Sequence, residues 1–293
     1  MIGIIRNLFK EMSLIKEENQ FSFYVSFNRN FNFFIFCNRQ DFYQVKISSE
    51  RPLQKEYEAL KTVNQAIPTN VPQLIGFYQK EGFEILVCKG IKHRKIKQSK
   101  SDGEIVWREV RAILKPSKAA FEEKKPSQVH MDELKTVFEY FKYRPFSVQM
   151  GEWLRKLDSG VINSLPHIKQ HGDFTLNNMG LEGDRLIIFD WEDFGKITIP
   201  GFDIFCLTVD LLTGFDKTRI ERISKMKDYP IEIIELIGYF CNELSIDMKL
   251  YFNLYPAYVL CFLYLKEKYE YSREIISKVE NVCNEMLGKW LKM

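Results

Sequence analysis

Three segments near the start of the chain carry the pattern of β-strands. Segments 21–27 and 41–47 alternate apolar with small or polar residues over part of their length, and 31–37 is rich in aromatic residues. A period of two is typical of a strand with one buried face, and aromatic residues favour strands. Asn-rich links separate the segments. The pattern therefore predicts a three-stranded antiparallel meander.

The period of the pattern changes after the third strand. Apolar residues recur at helical spacing between Pro52 and Pro68, which can open and end a helix. Two more strands are predicted at 73–78 and 83–87, with a Lys-Glu-Gly turn between them. The order β-β-β-α-β-β predicts a small β-rich lobe that ends near Gly90.

The remainder of the chain is predicted to be mainly helical. Amphipathic periodicity covers 131–158 and most of 203–290. Segment 92–101 is strongly basic and could contact phosphates, but a solvated linker or an insertion within 92–130 is the favoured interpretation.

These patterns together predict an α+β protein of two domains. We expect a β-rich N-terminal lobe over 1–90 and a larger, mainly α-helical lobe over 91–293. The hydrophobic content of 45% and the charged content of 28% are ordinary for a soluble globular protein. The net charge of +3 gives no support for a nucleic-acid partner.

The cysteines and the apolar segments indicate where in the cell the protein is expected. The six cysteines form no Cys-x-x-Cys pair, and four lie in strongly apolar surroundings. We interpret them as reduced and buried, which favours a cytoplasmic location and argues against zinc. Segment 1–16 is interrupted by charged residues, so we expect a helix packed on the body, with a membrane-surface helix as the alternative. The apolar run 257–265 is too short to span a bilayer, so no integral membrane association is expected.

The residues with the clearest chemistry lie between His171 and Asn178. Asp173 and Asn178 are five residues apart, the spacing of the His-x-Asp-x-x-x-x-Asn catalytic loop of kinases. Phosphoryl transfer to a hydroxyl needs a carboxylate that accepts the proton and a neutral oxygen ligand for Mg²⁺. Asp173 suits the first task and Asn178 the second. A surface hairpin with capping Asp and Asn residues is the alternative.

A second acidic position follows an apolar strand at 186–189. Asp190 ends this strand, where a rigidly held carboxylate can bridge Mg²⁺ to phosphates. A predicted turn at 182–185 would bring Asn178 and Asp190 near each other across a hairpin. Asp193 begins an Asp-Phe-Gly sequence like that of protein kinases, but we reject it as the metal ligand because it lies beyond the strand end.

The β-rich lobe offers groups for binding a nucleotide. Lys46, near the end of the third strand, can reach the α- and β-phosphates, and Glu56 in the next helix is its candidate acidic partner. Glu58 is a rival on a different helical face. Cys88 and Gly90, at the end of the fifth strand, are predicted to form a hinge whose backbone groups bind adenine.

At these motifs the chain resembles the aminoglycoside phosphotransferase and choline kinase superfamily, the small-molecule kinases with the protein-kinase-like fold. The resemblance spans about residues 25–210. The similar motifs are His171-Gly172-Asp173 with Asn178, Phe189-Asp190-Trp191-Glu192, Pro200-Gly201-Phe202-Asp203, and the Glu-bearing helix at 55–60.

The resemblance implies a two-lobed fold with ATP and Mg²⁺ as cofactors. It implies transfer of the γ-phosphate to a hydroxyl of a small molecule, such as a sugar, an amino alcohol or an aminoglycoside-like compound. Asp173 would be the base or orienting group. Asn178 and Asp190 would hold Mg²⁺.

The resemblance also implies supporting roles. Lys46 and Glu56 would position the triphosphate. His171 would support the fold of the catalytic loop, and Asp203 would brace it.

Departures from the family pattern keep two alternatives open. The turn at 26–30 lacks glycine, which favours a non-catalytic, kinase-like nucleotide-binding or scaffold protein. A protein kinase is the other alternative, although the short stretch from Asp190 to Asp203 leaves little room for an activation segment and no Ala-Pro-Glu follows.

The acceptor is the least defined part of the prediction. Aromatic residues at 251–255 could surround a quaternary amine, although we favour a place in the core for most of them. A cationic acceptor would meet acidic residues, of which the chain offers Glu192, Asp193, Glu235, Glu243 and Asp247.

Overall fold

The chain divides into two compact units. The computed structural model describes residues 1–15, 21–27, 31–37, 41–50, 52–97, 100–124, 129–144, 147–213 and 230–268. By contacts, the first unit comprises Met1–Lys97 and Met179–Glu192, and the second comprises Gln98–Asn178 and Asp193–Met293. A domain boundary at residue 90 stays a prediction.

The first unit is built on a five-stranded antiparallel sheet with the strand order β1-β2-β3-β5-β4. The predicted strands and the helix between them are confirmed, with ends that differ from the sequence pattern by only one or two residues. The elements are α1 (Ile2–Glu11), β1 (Phe21–Phe27), β2 (Phe31–Cys37), β3 (Asp41–Ser48), α2 (Gln54–Ala66), β4 (Leu74–Lys80) and β5 (Phe83–Lys89).

Helix α1 covers one face of this sheet. Ile5, Leu8 and Phe9 are buried in a core that includes Val45 of β3. The ring of Phe9 meets that of Tyr43 edge-on, with 5.4 Å between centroids. A helix of this length is unstable alone in water, so burial of its apolar stripe is what stabilises it. The predicted packing of this helix on the body is confirmed.

The opposite face of the sheet carries both polar and apolar side chains. The register pairs Lys46 with Leu86, and it pairs Gln44 with Phe34 and with Cys88. Because paired residues, and residues two apart on one strand, point to the same face, all five side chains lie together.

A hairpin of β6 (Met179–Glu182) and β7 (Arg185–Ile188) completes the first unit. Asn70 anchors it at two points. Its side-chain amide donates to the carbonyl of Leu186 at 2.9 Å, and its backbone carbonyl accepts the N–H of Ile188 at 2.7 Å. The predicted hairpin is confirmed, and β7 is held to the body just before Asp190.

The basic segment is attached to this hairpin through the backbone of Arg94. Arg94 exchanges two hydrogen bonds of 2.9 Å with Leu181, and the ring of His93 lies 4.4 Å from that of Phe189. Arg94 therefore forms an isolated antiparallel bridge with β6, and at this residue the segment is attached to the hairpin.

The second unit is helical. The predicted helical character of 131–158 and of the described part of 203–290 is confirmed, while 214–229 and 269–290 lie outside the described residues. The helices are α3 (Lys100–Phe121), α4 (Val129–Tyr140), α5 (Ser147–Lys156), α6 (Ser159–Asn163), α7 (Phe202–Thr213), α8 (Ile231–Leu244), α9 (Met248–Asn253) and α10 (Tyr255–Lys268).

Helix α3 lies where the sequence suggested a linker or an insertion. Gly103 and Pro116 within it weaken the helical pattern. Val106, Val110 and Ile113 nevertheless form a buried stripe at helical spacing, and α3 packs against α8. The segment is thus part of the core of the second unit.

Tyrosines form the centre of that core. Tyr251, Tyr255 and Tyr258 are fully buried with their rings in mutual contact. The hydroxyl of Tyr258 donates to the carbonyl of Pro200 at 2.8 Å. The favoured interpretation of Tyr251 and Tyr255 as core residues is confirmed. Over the described ranges, every helix is too short or too polar to cross a membrane.

Leu8→Ala should destabilise the protein by about 2–5 kcal/mol, because it removes a buried leucine and leaves a cavity between α1 and the sheet. Ile2→Ala is the matched control, since Ile2 lies on the same helix but is 39% exposed. We expect it to change the free energy of unfolding by less than about 0.5 kcal/mol. Urea denaturation measures both, and equal effects would contradict the packing of α1.

Candidate functional site

Lys46 and Glu56 form a buried ion pair in the first unit. Strand β3 holds the lysine, and the first turn of α2 holds the glutamate. The ammonium of Lys46 lies 2.8 Å from both carboxylate oxygens of Glu56. Glu58 is exposed and accepts from the side chain of Gln54 at 2.8 Å. The contact matches the choice of Glu56, while a role of the pair in binding phosphates stays a prediction.

Two more carboxylates lie near the Lys46 ammonium. Asp190 is 3.5 Å away and Glu192 is 3.8 Å away. Burial alone would lower the pKa of Lys46, but Glu56, Asp190 and Glu192 together raise it, so the side chain is charged at neutral pH. Burial raises the pKa of Glu56, and Lys46 opposes that effect. Three carboxylates around one ammonium favour the approach of a further cation.

Asp190 has an unusual backbone conformation directly after β7. Its φ is +58°, a left-handed value that costs a non-glycine residue free energy. The next side chain fixes this geometry, because Trp191 is buried and its indole N–H donates to the carbonyl of Ile188 at 3.2 Å. The Asp190 carboxylate remains 43% exposed. Strain of this kind is common where a side chain must be aimed at a ligand.

A cleft of about 280 Å³ in the first unit opens onto this cluster. It combines an apolar wall on the sheet with the charged groups around Lys46, as small-molecule sites commonly do. Its lining residues are Ser26, Asn32, Phe34, Gln44, Lys46, Glu56, Leu60, Pro72, Leu86, Cys88, Phe189, Asp190, Trp191 and Glu192.

One of the two predicted hinge residues, Cys88, lines this cleft. Burial raises the pKa of its thiol to about 12, so the thiol stays neutral. The N–H of Gly90 donates to the carbonyl of Phe42 at 2.7 Å. A side chain at Gly90 would collide with the Phe42 ring, since a Cβ there would lie 2.0 Å from it. Gly90 could therefore contact a base through its carbonyl but not through its N–H.

The carboxylate of Asp203 organises the predicted catalytic loop in the second unit. It accepts the N–H of His171 at 2.7 Å and that of Gly172 at 3.0 Å. Burial raises the pKa of Asp203, and these hydrogen bonds lower it in part. The ring nitrogen Nδ1 of His171 accepts the N–H of Asp173 at 3.2 Å. His171 thus contacts the loop itself, in the supporting position that the resemblance implied.

Gly172 allows the loop to pass close to Asp193. Its φ is +91°, and a Cβ at this position would lie 2.7 Å from that of Asp193. Asp193 is buried and pairs with Lys196 at 2.5 Å. The Asp-Phe-Gly carboxylate therefore has a local ionic partner in the second unit. The choice of Asp190 over Asp193 as metal ligand stays a prediction.

Asn178 is oriented by the loop that it ends. Its amide nitrogen donates to the carbonyl of Asp173 at 2.8 Å, which leaves the amide oxygen as the atom suited to a metal ion. Asp210, which the sequence reasoning missed, accepts the N–H of Leu176 at 2.7 Å. It follows Asp203 by seven residues on α7, which is two helical turns. That spacing is a signal that could have identified it.

Asp173 also forms an ion pair that the sequence did not predict. The ammonium of Lys266, on α10, lies 2.7 Å from its Oδ2 atom. Lys266 is only 5% exposed. The two residues are 93 positions apart, so no local pattern connects them.

Several acidic residues proposed for a cationic acceptor have structural partners. Glu235 lies 3.7 Å from Arg111, and the carboxylate of Asp247 caps the start of α9. Glu192 belongs to the cluster at Lys46, and Asp193 pairs with Lys196. Their structural contacts give no support to a shared site for a polycation.

Comparison with known proteins gives different results for the sequence and for the fold. No protein-family model and no curated protein matches the chain. Solved structures, in contrast, match it along nearly its whole length. An ADP-bound aminoglycoside phosphotransferase, APH(2″)-Ib, is 16% identical, with 98% of each chain covered and a TM-score of 0.56.

Two further structures superpose more closely at lower identity. They are APH(2″)-IIia in complex with GDP and kanamycin, and choline kinase LicA from Streptococcus pneumoniae. Each is 12% identical, with a TM-score of 0.63 and coverage of 98% of this chain and 99% of its own. The fold is that of the aminoglycoside phosphotransferases and choline kinases. The protein-kinase-like fold of small-molecule kinases, predicted from the motifs, is thereby confirmed.

Asp203→Ala should lower the free energy of unfolding by about 2–5 kcal/mol, because it leaves two loop N–H groups of this kinase-like fold without their acceptor. Asp132→Ala is the control, since Asp132 is an exposed acid of the same unit. We expect its effect to stay within about 0.5 kcal/mol. Chemical denaturation compares the two, and a mild effect of Asp203→Ala would show that the loop does not depend on it.

Proposed function

We propose that this chain is an ATP- and Mg²⁺-dependent phosphotransferase that moves the γ-phosphate to a hydroxyl group of a small molecule. The observation that carries the proposal is the Lys46–Glu56 pair beside the strained Asp190 in one cleft. The hydrogen-bonded loop around Asp173 supports it, as does a fold that known small-molecule kinases share.

The nucleotide is proposed to bind in the cleft of the first unit. Glu56 holds the Lys46 ammonium in place, so that it can pair with phosphate oxygens without first paying the full cost of ordering its long side chain. Phe34 and Leu86 offer apolar surface on the same sheet face to a base. Cys88 and the carbonyl of Gly90 are proposed to act as the hinge that contacts the base.

The donor set suits Mg²⁺. Among the described residues, no group of three or more His, Cys, Asp or Glu side chains could hold a metal. Mg²⁺ is commonly bound by one or two protein oxygens together with phosphate oxygens and water. The exposed carboxylate of Asp190 and the amide oxygen of Asn178 would hold it. When bound, Mg²⁺ neutralises charge on the β- and γ-phosphates.

Asp173 is proposed to orient the acceptor hydroxyl and accept its proton. As the acceptor oxygen bonds to the γ-phosphorus, the bond from that phosphorus to the β–γ bridging oxygen breaks, and its electron pair leaves with ADP. The proton passes from Asp173 to water afterwards. The products are the phosphorylated acceptor and ADP.

The acceptor is proposed to be a sugar, an amino alcohol or an aminoglycoside-like compound. Two of the similar structures are a choline kinase and a phosphotransferase bound to kanamycin. We also propose a reducing, cytoplasmic setting, because the cysteines at 88, 206, 241 and 261 are free and buried.

A non-catalytic kinase-like protein is the second candidate. The observation that favours it is the turn at 26–30, which has no glycine to bring backbone N–H groups to a phosphate. Residues 28–30 of this turn lie outside the described residues. This candidate shares nucleotide binding with the first but predicts no turnover.

The first test is thermal unfolding with ATP, with and without Mg²⁺. Ligand at 100 times its dissociation constant should stabilise the wild type by about 2.7 kcal/mol, and only when the metal is present. Asp190→Asn should lose most of the metal-dependent shift, because it removes a carboxylate ligand. Asp184→Asn, an exposed acid in the same hairpin, should keep it. No shift in the wild type would contradict the nucleotide site.

The second test separates chemistry from binding. Asp173→Asn should lower ATP turnover at least about 100-fold while ATP still binds, because it removes the proton acceptor. Lys46→Met should instead weaken ATP binding, and Lys55→Met, an exposed lysine of α2, should change neither. Coupled detection of ADP gives turnover, and calorimetry gives affinity. Binding without turnover in the wild type, over a panel of acceptors, would favour the non-catalytic candidate.

A further inference from the structure

We infer that Lys266 is a positioning residue for Asp173, which it holds in the orientation needed for phosphoryl transfer. The inference rests on the proposed function. Its basis is the ion pair of 2.7 Å between the Lys266 ammonium and Oδ2 of Asp173. Nothing in the catalytic-loop motif itself assigns a cation to this place.

Burial makes this contact more than a surface ion pair. The Lys266 side chain is 6% exposed and that of Asp173 is 17% exposed. An ammonium withdrawn from water is costly unless it is paired, and an exposed pair would contribute little. The contact therefore fixes both side chains, because breaking it would leave a buried charge uncompensated.

The position of the ammonium is set by a rigid element. Lys266 lies on α10, and its neighbours Leu263 and Leu265 are fully buried. Its ammonium also lies 5.2 Å from the centre of the Phe262 ring, a favourable cation–π distance. The buried helix thus holds the ammonium in a fixed position, which a residue that positions a reactive group requires.

Asp173 is then held at three of its polar groups. Its N–H donates to His171, its carbonyl accepts the amide of Asn178, and its Oδ2 pairs with Lys266. Within the described part of the chain this leaves Oδ1 to receive a hydroxyl proton. A carboxylate with one oxygen fixed has a single orientation to offer, so the acceptor meets a preorganised base.

The inference predicts a loss of turnover without a loss of nucleotide binding. Lys266→Met keeps the length and the apolar stem of the side chain but removes the charge. We expect it to lower kcat at least tenfold and to change the affinity for ATP with Mg²⁺ by less than twofold. Lys266→Arg keeps the charge, so it should recover turnover to within about fivefold of the wild type.

The matched control is Lys118→Met, in the same unit. Lys118 also reaches inward, where its ammonium donates to the carbonyl of Glu243 at 2.6 Å. Its loss should lower the melting temperature while leaving kcat unchanged. If Lys118→Met lowers kcat as much as Lys266→Met does, the effect is general destabilisation and the inference is overturned.

A double-mutant cycle on thermal stability tests the Lys266–Asp173 ion pair without an activity measurement. In the wild type, Lys266→Met leaves Asp173 without its partner and should lower the melting temperature. In an Asp173→Asn background the ion pair is already broken, so Lys266→Met should lower the melting temperature by much less than in the wild type. Equal shifts in both backgrounds would show that the two charges do not interact, and would overturn the inference. This arm remains measurable if Lys266→Met folds poorly in the wild type.

The outcomes distinguish this inference from the proposed function. A wild type that turns over ATP, together with a fully active Lys266→Met, overturns the positioning role alone. A wild type that binds no nucleotide, or turns none over, overturns the proposed function and this inference with it. A tenfold loss in Lys266→Met that Lys266→Arg restores, with a smaller shift of melting temperature in the Asp173→Asn background, supports both.

Discussion

The hydrogen bonds to the carboxylate of Asp203 are the interaction on which the predicted catalytic loop depends. A loop of this kind carries backbone N–H groups that must find acceptors wherever water is excluded. Asp203 supplies two of them at once, to His171 and Gly172. With that course fixed, His171 can receive the N–H of Asp173, and Asn178 can close the loop from its other end. The side chains that the motif contributes are thus placed by a residue outside it.

In the first unit, the corresponding feature is the cluster of charged side chains around Lys46. One lysine is surrounded by three carboxylates, and two of them follow a strand that Asn70 anchors. The negative excess and the left-handed backbone at Asp190 are both unfavourable in the protein alone. Such costs persist when the surrounding structure over-determines them, as the buried Trp191 and the Lys46–Glu56 pair do here. A divalent cation bound at these carboxylates would relieve the negative excess.

The fold was largely predictable because the local patterns agreed with one another. The strand segments are dense in aromatic residues, and the helix between them is bounded by prolines. Helix α3 was not predicted because Gly103 and Pro116 interrupt its pattern of apolar residues. The attachment of Arg94 to Leu181 was not predicted because backbone pairing of a basic segment has no side-chain signature. Motif spacing selected Asp173, Asn178 and Asp190 as candidates. Lys266 had no such signal, since its meeting with Asp173 depends on the packing of α10.

Because Asp173 is attached at three points, its side-chain conformational entropy is lost when the protein folds and not when an acceptor binds. A flexible aspartate, and a lysine with about 2 kcal/mol of rotamer entropy, would each have to be ordered whenever an acceptor arrived. Here both side chains are immobilised once, as the chain folds. The folding free energy of the whole second unit offsets that loss of conformational entropy. Each catalytic cycle would then begin with that ordering complete. Under the proposed function, selection for a different acceptor would reshape the surrounding surface while leaving Asp173 and its supports unchanged.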